Sequence, residues 1–269
     1  MNPSASNTKA VMGVDIGSIT SKAVIIVNKD LLSWAIISSG GNTGAAANNV
    51  IKQVLSKARL SSKDISCTVA TGYGASNVLS ADQSTSDISC HGRGISYLFP
   101  SVRTVVDIGG QFSRAFKINH KGRLLTFVLS EKCAGGSGRL LQVIARVLQV
   151  DVQDLGGLSL KSKNRVNFTT GCAVFNESEA ISRIAEGTKK EDIAAGVQQA
   201  LSGKVQSLLE RVGIEPDCAL VGGGAKNIGV VKSIEDLLKI KLLVPEEPQI
   251  VAALGAALIA KDTINPKSQ

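Results

Sequence analysis

Two aspartates, each followed by a glycine turn, are the residues of this 269-residue chain best suited to chemistry. Asp15-Ile16-Gly17-Ser18-Ile19-Thr20-Ser21-Lys22 sets a carboxylate at the end of an apolar run, with a tight, hydroxyl-bearing turn just beyond it. Backbone N–H groups of such a turn can point at phosphate oxygens, while the carboxylate holds a hydrated Mg²⁺. Asp107-Ile108-Gly109-Gly110-Gln111 supplies the same set a second time. A third turn, Val221-Gly222-Gly223-Gly224-Ala225-Lys226-Asn227, leads from a strand into a helix and suits close approach of a nucleoside. One glycine turn alone is only a turn. Three in this order, two of them duplicated, point to a bound nucleotide.

Five cysteines, an odd number, do not make a disulfide framework. Two of them can do chemistry. Cys133 lies in Glu131-Lys132-Cys133-Ala134-Gly135-Gly136-Ser137-Gly138-Arg139, and Cys172 lies in Thr169-Thr170-Gly171-Cys172-Ala173-Val174-Phe175-Asn176-Glu177-Ser178-Glu179. Each stands at the start of a predicted helix, where the helix end favours a thiolate. Two thiolates are too few for a closed four-cysteine site, but a twofold homodimer would supply four. The plainer reading, two small structural cysteines, stands beside it. Cys67 and Cys218 fall in predicted strands and read as core. Cys90-His91 lacks companions for a metal site, and His120 sits in a solvated turn. Glu177 and Glu179 are two apart, so they do not share a helix face; they read as first-turn acids on the helix dipole.

The elements that must position these residues repeat. Residues 11–27 and 102–118 each read as two short strands joined by a turn, and Val14-Asp15-Ile16-Gly17 overlays Val106-Asp107-Ile108-Gly109 at a spacing of 92 residues. Ser21-Lys22-Ala23 then falls on Ser113-Arg114-Ala115 without a gap. This is a repeat at domain scale. Strands are also predicted over 65–70, 124–129 and 218–221, and helices over 48–59, 139–149, 177–186, 190–212, 227–238 and 248–261. Hairpins and helices so mixed predict an α/β fold with mixed sheets.

Composition narrows the function classes. With 43% apolar and 19% charged residues the chain is globular. Its longest apolar run, Val251 to Ala260, is about half of a membrane span. The N-terminal residues carry no apolar signal core, so the expected compartment is the cytoplasm. The net charge of +8 does not imply nucleic acid, because aromatics are only 3% and no basic-aromatic pattern for base stacking occurs. Most of that charge is local: from Arg114 to Arg165 there are ten basic and three acidic residues. The stretch is a solvated face or a docking surface for an acidic partner.

The order of the three turns resembles that of the actin, Hsp70 and sugar-kinase superfamily. That likeness implies an actin-like (ASKHA, RNase H-like) ATPase fold of two related lobes with the nucleotide in the cleft. One lobe would comprise residues 1–101 with 248–269, the other 102–247. No P-loop or Rossmann fingerprint competes with it. The cysteine segments, together with Thr71-Gly72-Tyr73-Gly74, Ser89-Cys90-His91 and the stretch from Gln249 to Ala257, resemble the activator ATPases of 2-hydroxyacyl-CoA dehydratases and the ATP-driven benzoyl-CoA reductase subunits (the BadF/BadG/BcrA/BcrD type, or archerases). The resemblance spans nearly the whole chain. It implies catalytic roles for Asp15, Asp107 and Gln111, with both aspartates on Mg²⁺ through water. It implies nucleotide contacts (ATP or ADP) from Gly17, Ser18, Ile19, Thr20, Lys22, Gly109, Gly110, Gly223, Gly224, Ala225, Asn227 and Gln249. Cys133 and Cys172 would ligate one [4Fe–4S] cluster shared across a homodimer. The activity implied is ATP-gated, low-potential electron donation to an iron–sulfur dehydratase, with a ferredoxin or flavodoxin as donor.

Three positions depart from the family's usual pattern: Phe112 stands where an acid is usual, Ser137 for Thr, and Asn176 for a small residue. They bear on the partner, and a double-cubane iron–sulfur protein suits the sequence as acceptor equally well. The rival reading is a small-molecule kinase of the same superfamily without a cluster, yet no aspartate beyond the two in the turns offers itself as its substrate base.

Overall fold

The computed structural model describes residues 10–28, 30–130, 134–168 and 172–265. The chain divides into two compact units: residues 1–100, 121–123 and 249–269 form unit 1, and residues 101–120 with 124–248 form unit 2.

Unit 1 is a five-stranded sheet in the order β3-β2-β1-β4-β5, built from β1 (Ala10–Ile16), β2 (Thr20–Val27), β3 (Asp30–Ser38), β4 (Ile65–Thr71) and β5 (Gln83–Ser84). The first three strands are antiparallel; β4 runs parallel to β1. Both faces of β1 are buried, so its residues alternate between two cores. Met12, Val14 and Ile16 pack toward α1 (Thr43–Ala58) with Val50 and Val54. Val11 packs with Cys67, Cys90 and the apolar residues of α8 (Val251–Ile264). Asn42 caps α1 by accepting a hydrogen bond from the Ala45 N–H at 2.9 Å. On the other face, α8 and α2 (Asp87–Leu98) meet backbone to backbone. A Cβ added to Gly255 would lie 1.7 Å from the Cys90 carbonyl oxygen, and one on Gly94 2.2 Å from that of Val251. Only glycine permits that approach.

Unit 2 repeats the design. Its sheet runs β10-β9-β6-β7-β8, with β6 (Thr104–Ile108), β7 (Ser113–Ile118), β8 (Leu124–Leu129), β9 (Cys218–Val221) and β10 (Leu242–Leu243). Read from the other edge, this is unit 1's order: three antiparallel strands, then two parallel ones. Between β8 and β9 come α3 (Gly138–Leu148), α4 (Leu155–Ser159), α5 (Ala173–Ala185) and α6 (Lys190–Val212); α7 (Ile228–Leu238) follows β9. Val106, Ile108 and Ala115 of the sheet are buried with Leu140, Ile144, Val197 and Leu201 of α3 and α6.

Several boundaries differ from the sequence reading. α1 begins at Thr43, because the Asn42 cap precedes a run of small residues that carries no periodicity. α8 begins at Val251 and not at 248, since the Pro248 carbonyl accepts from Gly222 N–H at 3.0 Å. α5 begins at Ala173, four residues before the expected 177, which moves Glu177 and Glu179 out of the first turn; Glu179 instead pairs with Arg183 at 3.4 Å. α2 and α4 were not anticipated. Among the described residues no helix is long and apolar enough to cross a membrane.

Candidate functional site

In unit 1, β1 delivers Asp15 to the sheet's end and the hairpin places Lys22 directly opposite as its antiparallel partner. Lys22 Nζ lies 3.0 Å from Asp15 Oδ2, with the carboxylate only 6% exposed. Gly17, Ser18, Ile19 and Thr20 form the turn between them, half-buried, and closed by a hydrogen bond from Gly17 N–H to Thr20 O of 3.1 Å. Ser39, which the sequence reading passed over, supports the turn by donating its hydroxyl to Gly17 O at 2.6 Å.

Unit 2 reproduces this at the same register. Asp107 faces Arg114 across β6 and β7, and Gly109 N–H closes the turn on Phe112 O at 3.1 Å. Arg114 approaches Asp107 Oδ2 through Nε at 3.0 Å and a terminal nitrogen at 2.9 Å, with both residues buried. The Phe112 ring covers the guanidinium at 5.7 Å from its centroid. Gly110 is half-buried and Gln111 exposed at the tip of the turn.

A further repeat completes each carboxylate's surroundings. The parallel partners of Asp15 and Asp107 are Thr71 and Val221, and each is followed by a glycine of positive φ (Gly72 at +86°, Gly222 at +83°). A Cβ on either would lie 2.3 Å from the aspartate Oδ1. Two residues on, Gly74 lies against Ile16 and Gly224 against Ile108. Ala75 and Asn77 donate to the carbonyls of Gly72 and Gly74 as Ala225 and Asn227 donate to those of Gly222 and Gly224. The signal was in the sequence: Gly72-Tyr73-Gly74-Ala75-Ser76-Asn77 and Gly222-Gly223-Gly224-Ala225-Lys226-Asn227 agree at four of six positions.

The structure thus gathers the second and third glycine turns within unit 2. Gly223 is exposed there, and Gly224 and Ala225 are buried. Asn227 is buried, and its Oδ1 accepts from Val230 N–H, capping α7, and from Gln198 Nε2, both at 3.1 Å. Gln249 belongs to unit 1 and is half-buried.

The Asp107 hairpin of unit 2 is also bonded to the segment that follows residue 133 in the sequence. Gly138 N–H donates to Gly109 O at 2.8 Å, and the Ser113 hydroxyl donates to Gly136 O in a short hydrogen bond. Cys133 itself lies outside the described residues. Cys172 is the N-cap of α5 and half-buried. The backbone N–H groups of Phe175 and Val174 hold its thiol below the usual cysteine range, and the Lys204 ammonium on α6 adds to this. Lys204 also lies beside Gly136, with its Cδ 3.5 Å from where a Cβ there would be. Cys218 is the opposite case, pushed up to about 12 by burial, and burial likewise raises Cys67. Cys90 is buried in the core of unit 1, and His91 Nδ1 pairs with Asp87 O at 2.8 Å. His120 is exposed. Among the described residues no three His, Cys, Asp or Glu side chains gather as a metal cage.

Comparison with known proteins gives one consistent picture. The model of the BadF/BadG/BcrA/BcrD ATPase family matches residues 12–260. A 2-hydroxyisocaproyl-CoA dehydratase activator of Clostridioides difficile is 43% identical over 253 residues, covering 93% of this chain and 94% of its own. The crystal structure of component A of (R)-2-hydroxyglutaryl-CoA dehydratase from Acidaminococcus fermentans superposes with a TM-score of 0.93 at 37% identity, covering 96% of this chain and all of its own. The activator of the 2-hydroxyisocaproyl-CoA dehydratase from Clostridium difficile, solved with bound ADPNP, superposes at 0.92 and 41% identity, covering 96% of each chain. The two-unit arrangement of mixed sheets is the actin-like ATPase fold.

Proposed function

The chain belongs to the BadF/BadG/BcrA/BcrD ATPase family, and from that premise we propose that it is an ATP-dependent activator that delivers single electrons to an iron–sulfur dehydratase. In this reading Asp15 and Asp107 hold the hydrated Mg²⁺ of ATP, and Gln111 orients the attacking water. The turns at Gly17–Lys22 and Gly109–Gly110 receive the phosphates, and Gly223, Gly224, Ala225, Asn227 and Gln249 serve the nucleoside side. Two copies of the chain each contribute Cys133 and Cys172 to one shared [4Fe–4S] cluster.

The described half of that ligand set suits the group: Cys172 is partly exposed, opens a helix, and has its thiolate favoured by two N–H groups and an ammonium. When bound, the cluster supplies a low-potential one-electron reductant. What this chain adds is the link between nucleotide and cysteine. The observation that carries the proposal is the pair of hydrogen bonds between the Asp107 hairpin and the 134–138 turn, one donated from each side. A change at the phosphates that moves Gly109 or Ser113 must move the start of α3, and with it the stretch beside Cys133. The basic stretch 114–165 flanks the same cysteine in sequence and favours an acidic donor, a ferredoxin or flavodoxin.

Anaerobic purification tests this. The expected protein is brown and dimeric, with about four irons per dimer. Cys133→Ser or Cys172→Ser should lose the iron and the electron transfer, while serine at Cys67, Cys90 or Cys218 should keep both. A colourless, monomeric protein that hydrolyses ATP overturns the cluster and favours a kinase.

A further inference from the structure

Asn176 has no use in anything described so far, and its position is costly. It lies one turn into α5 from Cys172, whose carbonyl accepts its backbone N–H at 2.9 Å, and it is 1% exposed. With Ala173 and Ala180 it forms the buried face of the helix, on the side where α5 packs against α3, α6 and the 134–136 turn. Among the described residues neither Nδ2 nor Oδ1 has a hydrogen-bond partner. Asn227, the other side chain with a buried unpaired atom, lacks a partner only for Nδ2, because its Oδ1 receives two donors. An amide buried unpaired forfeits its hydrogen bonds to water with no return, and a small apolar residue beside the two alanines would avoid that cost. Helical side chains lean toward the N-terminus of the helix, so the carboxamide is directed at the turn that contains Cys172.

We propose that Asn176 is a positioning residue whose unpaired carboxamide donates an N–H to a sulfur of the iron–sulfur cluster ligated through Cys172. The inference rests on the cluster reading above and adds a specific property. A hydrogen bond stabilises the negative charge on the sulfur it reaches, so the cluster holds an added electron more firmly; the contact raises the reduction potential and steadies the bound iron. It also accounts for a donor in an apolar position: Nδ2 is unpaired only until the cluster is present.

The test compares wild type with Asn176→Ala and Asn176→Leu in two forms. In the cluster-loaded protein both variants should shift the reduced-to-oxidised ratio about tenfold toward the oxidised form at a fixed poise, which is about 59 mV for a one-electron couple. Both should lose iron to a chelator several-fold faster. In the iron-free protein Asn176→Ala should melt higher than wild type, because the unpaired amide is gone. A packing role cannot produce opposite signs in the two forms. Asn176→Leu, close to asparagine in size and without any N–H or O–H to donate, carries the measurement if the alanine variant does not fold. Unmoved potential and iron release in loaded variants overturn this inference alone. A wild type that takes up no iron overturns the cluster reading and this inference with it.

Discussion

The two carboxylate sites are the same construction executed with different cations. Asp15 and Asp107 hold the same register, close the same turn, and press against glycines of nearly the same positive φ. Yet unit 1 answers its aspartate with a lysine making one contact and unit 2 with a buried arginine making two, covered by Phe112. A lysine ammonium is a point charge on a flexible stem that can turn to water or to a phosphate; an arginine fork is pre-organised and always charged. The connections differ too. Unit 1 passes from hairpin to β4 through a single long helix, whereas unit 2 inserts four helices, among them the one that Cys172 caps. The unit with the fixed cation is also the one whose hairpin is bonded to the 134–138 turn, so under the proposed function its rigid hairpin would transmit what a loose one would absorb.

The largest effect expected from this contrast is on stability when each carboxylate is neutralised. Asp107→Asn leaves Arg114 buried without its counter-charge, a loss of about 3–5 kcal/mol. Asp15→Asn, beside a lysine whose side chain is 13% exposed and sits on a flexible stem, should cost less, about 2 kcal/mol. Urea midpoints measure both, and equal losses would break the distinction between fixed and releasable cations. Hydrolysis should fall about hundredfold or more in either variant.

Next in size are the two glycines. Gly72→Ala and Gly222→Ala each force a side chain into a strained backbone region and against a carboxylate, at about 3 kcal/mol apiece. Here equality is the expectation. A tolerant Gly72 beside an intolerant Gly222 would show that the repeat is geometric only.

The smallest effect is at Phe112. Replacement by leucine keeps the bulk but removes the ring over Arg114, so about 0.5–1 kcal/mol should be lost. Phe112→Tyr should restore it. Phe112→Glu should do more than Leu, because a second carboxylate competes with Asp107 for the guanidinium. Its signature would be a lowered Mg²⁺ requirement for hydrolysis, because a freed Asp107 and an added negative charge both favour the cation; a metal titration reads it.

Much of this was legible beforehand because it is local. The Asp-x-Gly hairpins align without a gap, and both α6 and β9 have the bounds that their apolar pattern gives. The equivalence of Gly72 with Gly222 was written in the residues but hidden by distance: one helix separates hairpin from turn in unit 1 and four in unit 2, so no constant spacing finds it. Helix α2 was obscured for a different reason. Gly92 and Gly94 weaken its propensity, and Gly94 makes sense only once the backbone of α8 lies against it. Ser39 and Arg114 were missed as members of the sites because their roles depend on strand register. β5 and β10, at two residues each, are too short to leave any pattern.

The placement of α8 has a consequence in the order of synthesis. β1 is made before the whole of unit 2, yet Gly13 at its centre is shaped to the backbone of Ala253 and Ala257, and the helix that carries them is made after all of unit 2. Unit 1 therefore cannot close its core while unit 2 is being translated. Unit 2, drawn almost wholly from one continuous stretch, can fold as soon as β10 emerges. In the nascent chain unit 2 reaches its native packing while unit 1 is still an open sheet, one face of it waiting for a helix not yet made.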